Sequence, residues 1–319
     1  MILPLLRSLY DSRSALAWTP SQYEIALKEI ELFSLSSQVY HLMKHRGIDQ
    51  TPDFFAEKLR EKYTKGLHQN LFMKHKEQES INRFESEGLK VIPLKGVHFA
   101  ERYFGYFAAR VSSDIDLLVP ASQLDASIAC LQKMGYRFEI IKDHHARLHD
   151  KDGLMIELHW TLDKQHWSDL HIEPFWRDAE VFKEYSYVKQ MSDLHTFYFI
   201  CLHGARHQMD SIRYLLDIVQ MIHQCGDKLS YKELMEQAAY DKTSKRIQAA
   251  LSIVYQQFPH LHEIKPLPFC VIETHWSYDV IKYAKLGIRT KHYFLYKFFF
   301  KHLIFDTIRH QMKSLRRAY

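Results

Sequence analysis

No two of the four cysteines stand close together: Cys130, Cys201, Cys225 and Cys270 are scattered, with no CxxC pair. That argues against a disulfide framework or a thiolate zinc site, and it fits a reducing, cytoplasmic setting. Long hydrophobic runs are also missing, so no segment has the length needed to span a bilayer. The opening MILPLLRSLYDSRS is too short and too soon charged for a secretory leader. Internal repeats and low-complexity linkers are absent. Acid is nearly absent from the end of the chain: residues 282–319 hold ten Lys/Arg against one acid, Asp306. The net charge of the whole chain is +5, so everything before this tail is net acidic. The basic character belongs to the tail.

What is present is an ordinary soluble composition, 46% apolar and 25% charged. Its 319 residues suffice for two domains or one large one with a sizeable core. The hydrophobic period divides the chain. Residues 21–88 read as helix, with Tyr23, Ala26, Leu27, Ile30 and Phe33 at helical spacing and Thr19 or Ser21 as a cap. Thr51-Pro52-Asp53 opens a second long helical segment, with Pro52 at a first-turn position and a risk of interruption at Gly66. Then the period becomes that of strands: 89–94, 110–119, 136–141, 146–150 and 154–160, with helices over 97–104 and 122–134. Asp152-Gly153 is a hairpin turn signal. A polar, Trp- and His-rich connector over 161–189 has no assignable period. Helical spacing returns from Ser192 to the end, with breaks expected at Gly226, Pro259 and Pro266/Pro268.

The chemistry concentrates in "RVSSDIDLLV", residues 110–119. Side chains alternate along a strand, so Asp114 and Asp116 leave one face while Ile115 and Leu117 leave the other. Two like charges on one face call for a cation between them. Hard divalent ions such as Mg²⁺ take carboxylates together with substrate phosphates. A third acid, Glu157, lies between apolar neighbours in "MIELHW", with His159 on its face. If the two strands are neighbours, three carboxylates converge, and a pair of metals held that way can serve phosphoryl or nucleotidyl transfer. Upstream, Lys95-Gly96 closes a strand and opens a helix, where backbone N–H groups can approach phosphates. Arg110 and Ser113 are suitable donors to phosphate oxygens.

The order LKG…RxxxDIDLLV…GY…IELHW, then HGARH and RYLLDI, resembles the polymerase-β-like nucleotidyltransferases. More narrowly, it resembles a bacterial family of uncharacterised nucleotidyltransferases, over about residues 91–221. The resemblance implies that Asp114 and Asp116 ligate the metals, Mg²⁺ or Mn²⁺, and that Glu157 completes the site or accepts a substrate proton. It implies an NTP substrate, with ATP favoured, contacted by Lys95, Gly96, Arg110 and Ser113. The acceptor would be a small molecule, peptide or protein, with nucleic acid not favoured. The fold implied is α+β: a small mixed β-sheet nucleotidyltransferase core at 89–165, flanked by helical regions at 1–88 and 166–319. One departure stands out. Gly96 is followed by Val97, where the superfamily usually carries serine or glycine to contact the triphosphate. A catalytically silent nucleotide- or partner-binding module is therefore a second reading.

His203 and His207 stand at the i, i+4 spacing of metal ligands, but the glutamate of a zincin motif is missing. Metal-dependent hydrolysis by these two is a third reading; packed or solvated histidines explain them equally well. In the resembled family the positions of His203, Arg206, His207, Arg213 and Asp217 recur, which suggests that they wall the active site, with His159 as a further substrate-pocket residue. Asp217 would orient His203 or the acceptor, and Arg213 would reach a phosphate. In "DHHARLHD", alternation puts His145, Arg147 and His149 on one face, as a solvated edge strand would, with His145 near the cleft at most. The tail's aromatics run nearly all round a helix, which fits a packed terminal helix; a membrane-surface helix and a surface for an anionic partner are the alternatives.

Overall fold

A computed structural model describes residues 1–14, 16–46 and 51–316. Four helices come first: α1 (Ile2–Tyr10), α2 (Pro20–Leu32), α3 (Ser36–Arg46) and α4 (Asp53–Ser86). Thr19 caps α2, its backbone N–H donating to Gln22 Oε1 at 2.8 Å, and Pro20 takes the first helical position. Pro52 sits one step before α4 rather than inside its first turn. Gly66 does not interrupt α4. A Cβ there would lie 2.6 Å from Ser37 Oγ and 2.7 Å from Val111 Cγ2, so the missing side chain lets α4 touch α3 and the loop before the second strand.

The next part alternates: β1 (Ile92–Pro93), α5 (Val97–Phe104), β2 (Asp114–Leu118), α6 (Leu124–Lys133), β3 (Arg137–Ile141), β4 (His145–His149) and β5 (Met155–His159). They form one mixed sheet in the order β1-β2-β5-β4-β3, in which β2 and β5 run parallel and the other pairs antiparallel. Strand β2 is shorter than the apolar run predicts because other partners take the preceding backbone. Asn70 Nδ2, on α4, donates to Phe107 O at 2.6 Å and Arg110 O at 2.7 Å, while Ser112 N donates to Asn70 Oδ1 at 3.0 Å. Strand β4 is not an edge. It lies between β5 and β3, and the exposed edge is β3, so the solvated-edge reading of 145–149 gives way to an interior strand.

The unassigned connector carries α7 (Glu173–Arg177), β6 (Glu180–Val181) and β7 (Lys189–Gln190). Buried charge pins it to later helices: Arg246 lies 2.7 Å from Asp163, and His171 Nδ1 lies 3.0 Å from Asp241. Then follow α8 (Asp193–Arg206), α9 (Ile212–Cys225), α10 (Tyr231–Tyr240), α11 (Ser244–Gln257), α12 (Leu261–Ile264), α13 (Tyr278–Lys285), α14 (Lys291–Phe298) and α15 (Ile308–Arg316). Breaks at 207–211 and 241–243 carry no marker in the sequence because ordinary residues make them; Gln208, Met209 and Lys242 adopt φ of +61°, +53° and +56°.

Two apolar clusters organise the molecule. One joins the first helices to the C-terminal helical block. The other lies on one sheet face, where Ile115, Leu117, Ile156, Leu158, Ala146 and Leu148 pack with α4 and α6 residues. The tail is packed on one side only. Tyr296, Phe299, Phe300, Ile304 and Phe305 are buried, whereas Phe294, Leu295 and Phe298 are exposed. Its one acid, Asp306, accepts from Ser244 N and Lys245 N at 2.8 and 2.9 Å and so caps α11. Residues 317–319 of the tail lie outside the described residues. Among the described residues no helix is long and apolar enough to cross a membrane.

Candidate active site

Alternation along β2, β5 and β4 fills one sheet face with the apolar core and leaves the other polar. Register then decides which polar groups meet. Asp116 is the cross-strand partner of Glu157, and Glu157 of Arg147; His159 is the partner of His145. Asp114, one pair along, shares the face of Asp116. Asp116 and Glu157 are thus neighbours on parallel strands.

The positive charge between the two aspartates is Lys95. Its Nζ lies 3.0 Å from Asp116 Oδ2 and 3.5 Å from Asp114 Oδ2, with little solvent access. Burial works against this ammonium, but Asp116 and Asp114 together raise its pKa. Asp116 is buried. Burial alone would favour its neutral form, but Lys95 and the bond to His159 (Nε2–Oδ1, 3.1 Å) hold its pKa below the usual carboxylate range. Glu157 is held down further. Burial is again opposed, here by His159 at 3.5 Å, His145 at 3.5 Å and the Arg147 Nε–H donated to Oε1 at 3.0 Å. Asp114 shifts the other way, raised by burial and by the charge of Asp116. A divalent cation fits this donor set: ligand atoms of Asp116, Glu157 and His159 lie within 4.8 Å of one another, Asp114 shares their face, and the cation now beside Asp116 Oδ2 is the Lys95 ammonium at 3.0 Å.

Gly96 opens α5 with φ +79° and ψ −138°, a backbone region open in practice to glycine alone. A Cβ would stand 3.2 Å from Ser112 Oγ, whose hydroxyl donates to Asp114 O at 3.0 Å. Gly96→Ala therefore costs about 1–3 kcal/mol of strain and displaces Asp114. The expected result is a lower urea midpoint together with weaker Mg-NTP binding in calorimetry; unchanged values in both would refute the strain. Ser113 is exposed at the lip of the site.

Arg110, Asp217 and Arg213 lie to one side as a support. Arg110 Nε donates to both Asp217 oxygens, at 2.9 and 3.1 Å, and both residues are buried. Asp217 thus holds Arg110 rather than His203. Arg213 donates to Val111 O and Ser34 O, tying α9 to the same loop. His203 is buried, and its neutral form is favoured by burial, with Lys95, Arg206 and His207 adding to the effect. Its ring lies 4.6 Å from that of His207, which stands just past the end of α8 and stacks on Tyr214.

Arg147, His145 and Arg206 also belong here. Arg147 and His145 follow from the interior place of β4, where the sequence put His145 near the cleft at most. Arg206 makes one long bond, to Leu162 O at 3.4 Å, and feels the charges of Asp116 and Glu157. Its signal was present, since it lies between His203 and His207. Glu77, on α4 behind the sheet, is also acidic and buried. Burial, reinforced by Asp116 and Glu101, pushes it up to about 8. An acid raised above its ordinary 4.5 on folding makes the native state take up a proton between those values. Stability therefore falls as pH rises from about 4.5 to about 8, by at most about 1.4 kcal/mol per unit. Glu77→Gln should flatten that slope in urea titrations across the window; equal slopes in both proteins would refute the assignment.

The acids thus stand on one face of the mixed sheet, opposite the apolar core. In comparison with known families, residues 26–259, more than half of the chain, match the uncharacterised nucleotidyltransferase family, and the chain belongs to it. Among solved structures, the chain is similar to the antibiotic-resistance factor ANT(2")-Ia in its crystal structure in complex with adenylyl-2"-tobramycin. The identity is 14%, the alignment covers 51% of this chain and 92% of that one, and the TM-score is 0.36. The solution structure of ANT(2'')-Ia aligns with 12% identity, covering 51% and 88%, at a TM-score of 0.35. No curated protein matches.

Proposed function

We propose that the protein transfers a nucleoside monophosphate from an NTP, ATP first among them, to a small-molecule, peptide or protein acceptor, using Mg²⁺ or Mn²⁺ in the reducing cytoplasm. The observation that carries this reading is the pairing of Asp116 with Glu157 on parallel strands, with Asp114 on the same face. Asp114, Asp116 and Glu157 would hold a divalent ion there, which would polarise the α-phosphate and offset its developing charge. Of the two roles open to Glu157, ligand suits it better than base, because its neighbours hold it ionised and poorly basic. Lys95 supplies counter-charge between the aspartates and, once ion and nucleotide arrive, donates to phosphate oxygens. The α5 N-terminus at Gly96, Ser113 and Arg206 contact the remaining phosphates, while His159, His203 and His207 wall the acceptor side. Arg110, Arg213 and Asp217 hold the loop that leads into β2 and its aspartates.

The test uses NTP labelled at the α-phosphate with a broad acceptor panel. Transfer moves label to a non-nucleotide product and releases pyrophosphate. Val97, in place of a hydroxyl, favours the second reading, a silent binding module. Mg-ATP or Mg-GTP binding in calorimetry without any transfer across the panel would decide for it.

A further inference from the structure

Beside the carboxylates stands a group of different chemistry. His144, His145 and His159 each offer a ring nitrogen, and the three nitrogens lie within 4.8 Å of one another. The residues are only 6%, 5% and 2% exposed. His145 and His159 are cross-strand partners on β4 and β5, and His144 immediately precedes β4, so the sheet holds two of the rings in place. His145 Nδ1 faces His144 Nε2 at 3.2 Å. Two nitrogens bound to one tetrahedral zinc at its usual bond length stand about 3.3 Å apart, so this pair is already at a ligand–ligand spacing.

The other ring nitrogens bear on the same point. In metal sites a ligating histidine usually turns its second nitrogen to a carboxylate. Here His159 Nε2 lies 3.1 Å from Asp116 Oδ1, and His145 Nε2 lies 3.5 Å from Glu157 Oε1. Meanwhile His159 Nδ1, His144 Nδ1 and His145 Nε2 are buried with no hydrogen-bond partner among the described residues. Unpaired buried polar atoms are costly, and an ion at the point of convergence would satisfy His159 Nδ1 and take the place of the single hydrogen bond between the His144 and His145 rings. Nitrogen donors suit ions of borderline softness rather than Mg²⁺.

We propose that His144, His145 and His159 bind one divalent transition-metal ion of the Zn²⁺ or Co²⁺ class, at a position separate from the oxygen-ligated cation of Asp114 and Asp116. The ion fixes the His159 ring that bonds Asp116, and so couples its occupancy to the geometry of the transfer site.

The test uses the full chain, stripped with a chelator and titrated with Co²⁺ in the absence of nucleotide. Wild type should develop the intense visible absorption of four- or five-coordinate cobalt, and Zn²⁺ should bleach it. His144→Ala and His145→Gln should lose that band with circular dichroism unchanged, and His144→Gln replaces the first if it fails to fold. Asp114→Asn, outside the trio, should keep the band while losing nucleotidyl transfer. Only the faint spectrum of octahedral cobalt in wild type would overturn the proposal. So would a band that survives in folded His144→Ala and His145→Gln, or one that disappears with Asp114→Asn. The transfer reading fails separately: no label moves to any acceptor, whatever the cobalt spectrum shows.

Discussion

Asp116→Asn is expected to abolish nucleotidyl transfer, lowering turnover by about 10³-fold or more, the scale of several kcal/mol of lost charge stabilisation. The substitution is nearly isosteric. The amide oxygen can still accept from His159, now 3.1 Å from Asp116 Oδ1, so the strand and the histidine keep their places. What disappears is the negative charge that opposes Lys95 at 3.0 Å and that would hold the ion. Burial sharpens the effect: Asp116 is 2% exposed, and few water molecules can stand in for a missing ligand. Asp114 is more open, its side chain 24% accessible, so Asp114→Asn should cost activity by a similar mechanism with less disturbance to the fold. Turnover with α-labelled NTP at saturating Mg²⁺ checks both. Full activity in Asp116→Asn, with binding intact, would refute the carboxylate mechanism.

Much of this site was legible in the sequence because alternation is local. Asp-x-Asp and Glu-x-His on strands must each share a face, and the apolar residues between them identify the buried side. The pairing of Asp116 with Glu157 needed only the assumption that β2 and β5 are neighbours, and they are. Sheet order was not legible. The position of β4 between β5 and β3 depends on the path of the chain, and it turned an apparently solvated "HHARLH" into the partner of Glu157 and His159. Long-range ion pairs were hidden for the same reason: nothing near Arg110 shows that its partner lies on α9, or that Lys95 reaches across the site. Helix breaks made by Gln208, Met209 and Lys242 carried no glycine or proline to mark them. Gly66 carried a marker that misled, since a glycine within a helix reads as a weakness until the residue packed against it is known.

Arg110→Met should be the most destabilising single change near the site, costing about 3–5 kcal/mol, because it leaves the Asp217 carboxylate buried without its partner. Both groups are well inside the protein, at 5% and 1% exposure, and Asp217 accepts from Arg110 Nε through both oxygens. The Asp217 charge raises the Arg110 pKa despite burial, while burial raises the Asp217 pKa against the pull of Arg110, so each charge depends on the other being in place. Asp217→Leu should cost a similar amount by stranding the guanidinium. The double variant Arg110→Met/Asp217→Leu removes both charges and should regain most of the loss, since a buried pair replaced by apolar groups is often neutral or better. Urea unfolding of the four proteins gives the coupling directly. The cycle also decides what Arg110 is for. If it supports the loop that leads into β2, with Asp114 and Asp116, the double variant recovers Mg-NTP binding along with stability. If it contacts the triphosphate, as the sequence first suggested, both Arg110 variants lose nucleotide affinity even where stability is restored. The bond to both Asp217 oxygens, which occupies the Arg110 Nε–H, favours the first outcome, and a double variant that is stable yet blind to nucleotide would reverse that assignment.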